Sequence, residues 1–205
     1  MAIILALMAM LLMSTLGTAV ILTTSTESVI AVNFRNAQEG LYAADASLEL
    51  AIADLDAQPD WNAVLDGQTP SVFVDGPPLG SRRLSDDAPL DLGQMVTVLN
   101  SAQRPWGPNN PVWRLFVYGP LSALFPDHPI DSAFYVVVMV ADDPAENDDD
   151  PLRDGHTAEN AGSGVLVLRA EAFGPRGTHQ AVEATIARPA TQPLGARLLS
   201  WRQVR

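Results

Sequence analysis

The first 26 residues of the chain carry no charged side chain. Residues 1–22 are apolar except for Ser14, Thr15 and Thr18, and about 20 apolar residues in a helix span the hydrocarbon core of a bilayer. A secretory signal peptide would instead need a basic start and a small-residue cleavage site followed by a loop. Because no basic residue precedes Arg35 and helical spacing continues downstream, the pattern predicts a transmembrane helix that stays on the protein.

From residue 27 the pattern changes to a single apolar stripe. Two series that each repeat every seven positions alternate along it: Ile30, Ala37, Ala44 and Ala51, and Phe34, Leu41, Leu48 and Leu55. The resulting steps of four and three residues place side chains on one face of a helix. Pro59 ends the pattern, since proline lacks the N–H of a helix interior. One near-continuous helix is predicted, with a transmembrane half (residues 1–24) and an amphipathic half (residues 25–57). The alanines favour close packing on a sheet over a coiled-coil dimer, because they bury little area.

Residues 58–205 are predicted to form a globular β domain. Within it, residues 58–132 are rich in proline and glycine, and the strand signal strengthens afterwards. Short apolar or alternating runs mark the strand candidates, which are residues 95–99, 112–118, 134–140, 164–173 and 180–188. The tail, residues 197–205, either adds an edge strand or binds a partner. We expect an α+β fold in which the amphipathic helix half covers the apolar face of a four-stranded antiparallel meander.

Composition and motifs exclude several functions. The net charge is −12, and all 12 basic residues are arginine, which argues against nucleic acid as a partner because a phosphate backbone needs a basic surface. The absence of cysteine excludes disulfides, thiol catalysis and Cys-based zinc sites. The three histidines, His128, His156 and His179, lie far apart in turn-rich segments, and each is expected at the surface. No catalytic motif or phosphate loop occurs, so we expect neither enzymatic activity nor a small-molecule substrate.

Three stretches resemble the PilX-type minor pilins of type IV pili: residues 1–8 (MAIILALM), 24–55 and 165–188. The second is the most specific, since Asn33-x-Arg35 is followed by the Ala-Ala-acid-Ala-x-Leu pattern that ends at Leu48. The resemblance implies a pilin-like fold and a structural, non-enzymatic role in pilus assembly. It also implies storage in the inner membrane, N-terminal methylation, and assembly with other pilin subunits into a cell-surface filament.

Two departures from the family bear on that role. The basic leader that ends in glycine and is removed by prepilin peptidase is not part of the chain, so either Met1 is the mature first residue or the leader lies upstream. Major pilins also carry a glutamate at the fifth mature position, whereas this chain has Leu5 and no acid before Glu27. A subunit without that glutamate suits the tip of a filament. The alternatives are a type II secretion pseudopilin and a bitopic, membrane-anchored binding domain.

A dense acidic run follows the strand at 134–140. Seven acids lie within thirteen residues: Asp142, Asp143, Glu146, Asp148, Asp149, Asp150 and Asp154. Calcium takes six to eight oxygen ligands from flexible loops, and the run lacks the spacing of an EF-hand. Calcium binding is predicted at Asp148, Asp150 and Asp154, with Asp142 or Asp143 contributing from the end of the strand. The alternative is a solvated acidic loop kept extended by repulsion.

Overall fold

The computed structural model describes residues 1–102, 105–125, 130–146, 149–155, 164–188 and 195–204. The chain divides into two compact units, Met1–Gln38 and Glu39–Arg205. In chain order, the helices and strands are α1 (Ala2–Ala57), α2 (Trp61–Leu65), β1 (Ser81–Arg83), β2 (Pro89–Asp91), α3 (Leu92–Ser101), β3 (Arg114–Pro120), α4 (Leu121–Leu124), β4 (Tyr135–Asp142), β5 (Val165–Phe173), β6 (His179–Ala187) and β7 (Arg197–Val204). The predicted α+β fold is confirmed.

Helix α1 ends where its sequence predicts. Proline at position 59 offers no N–H to continue the helix, and the last carbonyl groups of a helix need donors from elsewhere. The Arg188 guanidinium donates to carbonyl oxygens around this end: to that of Leu55 in the last turn (3.4 Å) and to those of Gln58 (2.5 Å) and Pro59 (3.0 Å) just beyond it. The same guanidinium lies 4.3 Å from the ring centroid of Trp61, a cation–π contact that fixes the start of α2.

The main sheet has five strands rather than the four predicted. Its order is β3-β4-β5-β6-β7, and each strand pairs antiparallel with the next, so the expected meander is present. The additional strand is β7, which pairs with β6 through residues such as Trp201 opposite Ala184. The tail therefore forms the edge strand that was one of its two predicted roles.

The stripe of α1 packs on one face of this sheet within the second unit. Its buried members are Ala44, Leu48, Ala51 and Leu55, and their core also contains inward residues of the central strands, among them Val136, Val138, Val140, Leu166 and Leu168. Leu48 is 1% exposed, and Leu41 is partly buried against the same core. Trp61 and Trp113 are both buried.

A close contact explains the single glycine in the amphipathic half of α1. A Cβ atom at Gly40 would lie 3.0 Å from both Phe134 Cε1 and Gln180 Cγ. Glycine in a helix interior costs about 1 kcal/mol relative to alanine, and here it removes a side chain that would crowd the sheet.

One predicted strand is wrong. Residues 95–99 lie in helix α3, which begins after Asp91 because the Asp91 carboxylate accepts a hydrogen bond from the Gln94 N–H (2.8 Å). Met95, Val96 and Leu99 have helical spacing and pack on a second core on the opposite face of the sheet. That core contains Leu92, Trp113, Tyr118, Tyr135, Val137, Met139 and Ala141.

Candidate functional site

The N-terminal part of α1 exposes a large apolar surface. Residues 1–31 are all exposed, and this stretch includes the uncharged run of residues 1–26. Large contiguous apolar surfaces mark sites that contact a membrane or another protein. By length and composition, α1 contains a segment able to cross a membrane.

Several hydroxyl side chains in this surface form hydrogen bonds within the helix. Five hydroxyl groups each donate to a carbonyl oxygen three or four residues earlier at 2.8–3.0 Å, and they belong to Thr15, Thr18, Thr23, Thr26 and Ser28. A helix in an apolar environment must satisfy its polar groups internally. These five hydroxyl groups are therefore compatible with burial in lipid or among other helices.

Exposed apolar side chains also occur beyond the length that a membrane requires. Ile30 and Phe34 belong to the predicted stripe, yet Phe34 is 67% exposed and neither residue belongs to the core. Residues 23–34 add about 18 Å of helix to the segment of residues 1–22. Within this stretch residues 23–28 are polar and include Glu27, and exposed large apolar side chains resume at Val29, Ile30 and Phe34.

A cluster of three carboxylates lies at the other candidate site. Asp142, Glu146 and Asp154 each place one carboxylate oxygen within 4.8 Å of the other two. Their residues are 3%, 1% and 9% exposed, respectively. Asp142 ends β4, and it lies on the α1-facing side of the sheet because it pairs with Leu166 and alternates with Val140.

Hydrogen bonds from backbone N–H groups position the other two acids, Glu146 and Asp154. The N–H of Glu146 donates to the Asp143 carbonyl oxygen (3.0 Å), which turns the chain back after β4. Glu146 Oε1 accepts from the N–H of Gly155 (3.0 Å), and Asp154 Oδ1 accepts from the N–H of Gly164 (2.5 Å). These bonds connect the turn after β4 to the segment that leads into β5.

The electrostatics of the cluster are unfavourable for three charged carboxylates. Burial raises the pKa of Asp142 well above its usual range, and the neighbouring carboxylate of Glu146 raises it further. Two like charges 4.8 Å apart repel by roughly 3.5 kcal/mol at an effective dielectric constant of about 20. Among the residues that the structure describes, no basic side chain forms an ion pair with Asp142, and its Oδ1 atom accepts no hydrogen bond.

The structure brings together two of the five predicted metal ligands, Asp142 and Asp154. Asp143 and Asp150 are not in the cluster: Asp143 Oδ1 accepts from the N–H of Ala145 (3.2 Å), and Asp150 Oδ1 accepts from that of Leu152 (3.4 Å). Asp148 lies outside the described residues. Whether any of the five binds calcium stays a prediction.

The sequence reasoning did not name Glu146 as a ligand, although this acid belongs to the same run. The only signal for it was its position four residues after Asp142, where a turn returns the chain to the same side. The reasoning also missed Asn62, whose side chain holds the backbone of Asp154 through two hydrogen bonds. No local signal in the sequence connects α2 with residue 154.

The fold defines the class of the protein as an α+β chain with a long apolar N-terminal helix. Comparison with models of known families, with curated proteins and with solved structures finds no match to this chain.

Proposed function

We propose that the protein is a structural, non-enzymatic subunit of an extracytoplasmic filament of the type IV pilus class, acting as a minor pilin in pilus assembly. The observation that carries the proposal is that α1 exposes apolar side chains beyond a membrane span: after the polar residues 23–28, Val29, Ile30 and Phe34 are 51–67% exposed. A plain anchor needs about 20 apolar residues. The additional surface fits a helix that leaves the bilayer and packs among other helices.

The composition of α1 suits both a helix in the membrane and a helix packed among other helices. Ala2, Ala6, Ala9 and Gly17 allow other helices to approach closely, because small residues bring backbones together where no hydrophobic driving force exists. A Cβ atom at Gly17 would meet nothing within 4 Å among the described residues, which leaves this position open to a neighbouring helix. The proposed mechanism is storage in the inner membrane followed by exchange of lipid contacts for contacts with neighbouring pilin helices.

The second unit supports the same proposal independently. In Glu39–Arg205 the amphipathic end of α1 packs along an antiparallel meander, which is the arrangement that the resemblance to pilins implies. Leu5 stands where major pilins carry a glutamate, and this difference favours a place at the tip of the filament, where no subunit above requires that charge.

The alternatives are a type II secretion pseudopilin, which shares this mechanism, and a bitopic anchored binding domain that never assembles. Mass spectrometry of sheared surface filaments distinguishes a subunit that assembles into filaments from a domain that stays anchored in the membrane. We expect peptides of this chain in the filament fraction, with a methylated N-terminus at Met1 or an adjacent residue. Detection only as an intact inner-membrane protein, in cells that carry filaments, would contradict the proposal and favour the anchored domain.

A further inference from the structure

We propose that Asp142, Glu146 and Asp154 bind one divalent cation of the calcium type. The site lies where β4 ends and the segment preceding β5 returns to the sheet. This inference is independent of the proposed assembly into filaments, because the cluster belongs entirely to the second unit.

Two separate observations point to a cation. The first is geometric: three carboxylates from different turns of the chain converge to within 4.8 Å. The second is an orphaned acceptor: Asp142 is 3% exposed, and its Oδ1 atom has no hydrogen-bond partner among the residues that the structure describes. A buried polar atom without a partner destabilises the folded state, and more so when it is charged, and a bound cation would supply the missing interaction.

The donor set selects the kind of metal. The three ligands are carboxylate oxygens, which hard cations prefer, and the chain offers no cysteine. Calcium accepts irregular geometry with oxygens at about 2.3–2.6 Å and completes its shell with water or carbonyl groups, whereas magnesium demands a near-ideal octahedron. A divalent ion would reduce the local charge of three carboxylates from −3 to −1.

A cation at this position would join three parts of the fold. Asp142 belongs to the sheet, Glu146 to the turn that follows it, and Asp154 to the segment that Asn62 of α2 holds. We therefore expect the ion to stabilise the second unit rather than to perform chemistry.

The test uses the full chain purified in detergent. Calorimetric titration with calcium chloride should give one ion per chain. Thermal unfolding followed by tryptophan fluorescence should occur several degrees higher in about 10 mM calcium than in chelator, since this concentration exceeds the weakest dissociation constants of extracellular calcium modules, about 10⁻³ M. Magnesium at the same concentration should have a smaller effect.

Matched variants then locate the ion. Asp142→Asn and Glu146→Gln should each abolish the calcium shift, whereas Asp143→Asn and Asp150→Asn, in the same acidic run but outside the cluster, should retain it. In chelator, Asp142→Asn should melt no lower than the original chain, because an uncharged amide of similar shape removes the cost of either charging or protonating a buried carboxyl group beside Glu146. If Asp142→Asn fails to fold, the Glu146→Gln variant and the titration of the unaltered chain still test whether the cluster binds calcium.

Three outcomes would overturn the proposal. Equal melting of the unaltered chain in calcium and in chelator would mean that protons, rather than a cation, hold the cluster. A titration without one-to-one binding would exclude a defined site. Equal loss of the shift in the Asp143→Asn control would mean that the acidic run attracts calcium diffusely.

Discussion

Asn62 and Asp154 are 92 residues apart, yet the side-chain amide of Asn62 forms hydrogen bonds with both the N–H and the carbonyl group of Asp154. Asn62 Nδ2 donates to the Asp154 carbonyl oxygen (3.2 Å), and Asn62 Oδ1 accepts from the Asp154 N–H (2.9 Å). Both residues are 9% exposed. One amide therefore fixes where the third carboxylate of the cluster lies.

Substitution of Asn62 should destabilise the second unit. In Asn62→Ala both backbone groups of Asp154 lose their partners away from water, and each unsatisfied group costs about 1–3 kcal/mol. We expect the free energy of unfolding, measured by denaturant titration, to fall by about 2–4 kcal/mol. Asn33→Ala is the control, because Asn33 is exposed, and it should change the free energy by less than about 0.5 kcal/mol. Similar values for the two variants would show that the two bonds do not matter.

Leu48→Asp should prevent the second unit from folding. Leu48 is 1% exposed in the core between α1 and the sheet, and an unpaired charge there costs several kcal/mol, comparable with the total stability of a domain. The tryptophans all lie in Glu39–Arg205, so their fluorescence reports this unit alone. Ile30→Asp, at an exposed position of the same stripe, should leave the emission and the melting temperature nearly unchanged. Native emission from Leu48→Asp would show that the stripe does not form the core.

Gly174→Ala should be unusually costly for a position in a turn. A Cβ atom there would lie 2.2–2.7 Å from three ring atoms of Phe134, so the ring must move. Overpacking of this kind costs about 1–3 kcal/mol, measurable by denaturant titration. Gly195→Ala serves as the control, since its Cβ would meet nothing within 4 Å. The cost of Gly174→Ala should shrink in a Phe134→Leu background, and an unchanged cost there would exclude the ring as the cause.

A row of charges crosses the second face of the sheet and predicts a pH dependence. Arg169 Nη1 donates to Glu183 Oε1 (2.7 Å), and Arg202 Nε donates to Glu183 Oε2 (3.0 Å). Burial raises the pKa of Glu183, but the hydrogen bonds and charges of Arg202 and Arg169 outweigh it and lower the pKa overall. A carboxyl group whose pKa is lower in the folded state contributes stability above its unfolded pKa, about 4.3, and loses it as the pH falls through the folded value.

Glu183→Gln should therefore cost stability at neutral pH and little at low pH. At pH 7 we expect a loss of about 2 kcal/mol, typical of hydrogen bonds to a charged group. The difference in the free energy of unfolding between the two chains should narrow as the pH falls from about 4.3 through the lower folded pKa of Glu183, below which both chains carry an uncharged group at this position. Denaturant titrations of both proteins at several pH values from 7 to 3 measure this difference in the free energy of unfolding. Parallel curves for the two proteins would contradict the role of the Glu183 charge.

Phe34, at the exposed N-terminal end of the apolar stripe, should contact other subunits of the proposed filament. We expect a photo-crosslinking phenylalanine analogue in place of Phe34 to join this chain to other subunits in sheared filaments. The same analogue in place of Asn33, exposed but about 100° around the helix, should crosslink less. Equal yields at the two positions, or crosslinks to lipid alone, would contradict an interface at Phe34.

The sequence by itself determined helix α1 and the central strands. The helix follows from local properties, namely an uncharged apolar run, a stripe with steps of three and four residues, and Pro59. Strands β4, β5 and β6 follow from apolar or alternating runs bounded by turns. Hydrogen bonds between near neighbours and the periodicity of side chains set these elements, so no distant contact was needed to predict them.

Short segments depended on more than their apolar pattern. Residues 95–99 were predicted as a strand because a run of five apolar and hydroxyl residues fits either structure. The Asp91 cap and the packing of Met95 and Leu99 on the second core made the segment helical. The tail became an edge strand because β6 left an unpaired edge for it.

The tertiary structure alone decided which acids meet. Seven acids are nearly equivalent along the sequence, but the register of β4 with β5 turns Asp142 toward the core, and a tight turn brings Glu146 to the same place. Asn62, from a helix more than 80 residues earlier, then fixes Asp154. Contacts between residues so distant in sequence arise only when the sheet and helices have assembled, so a count of acids predicts charge density but not the geometry of a site.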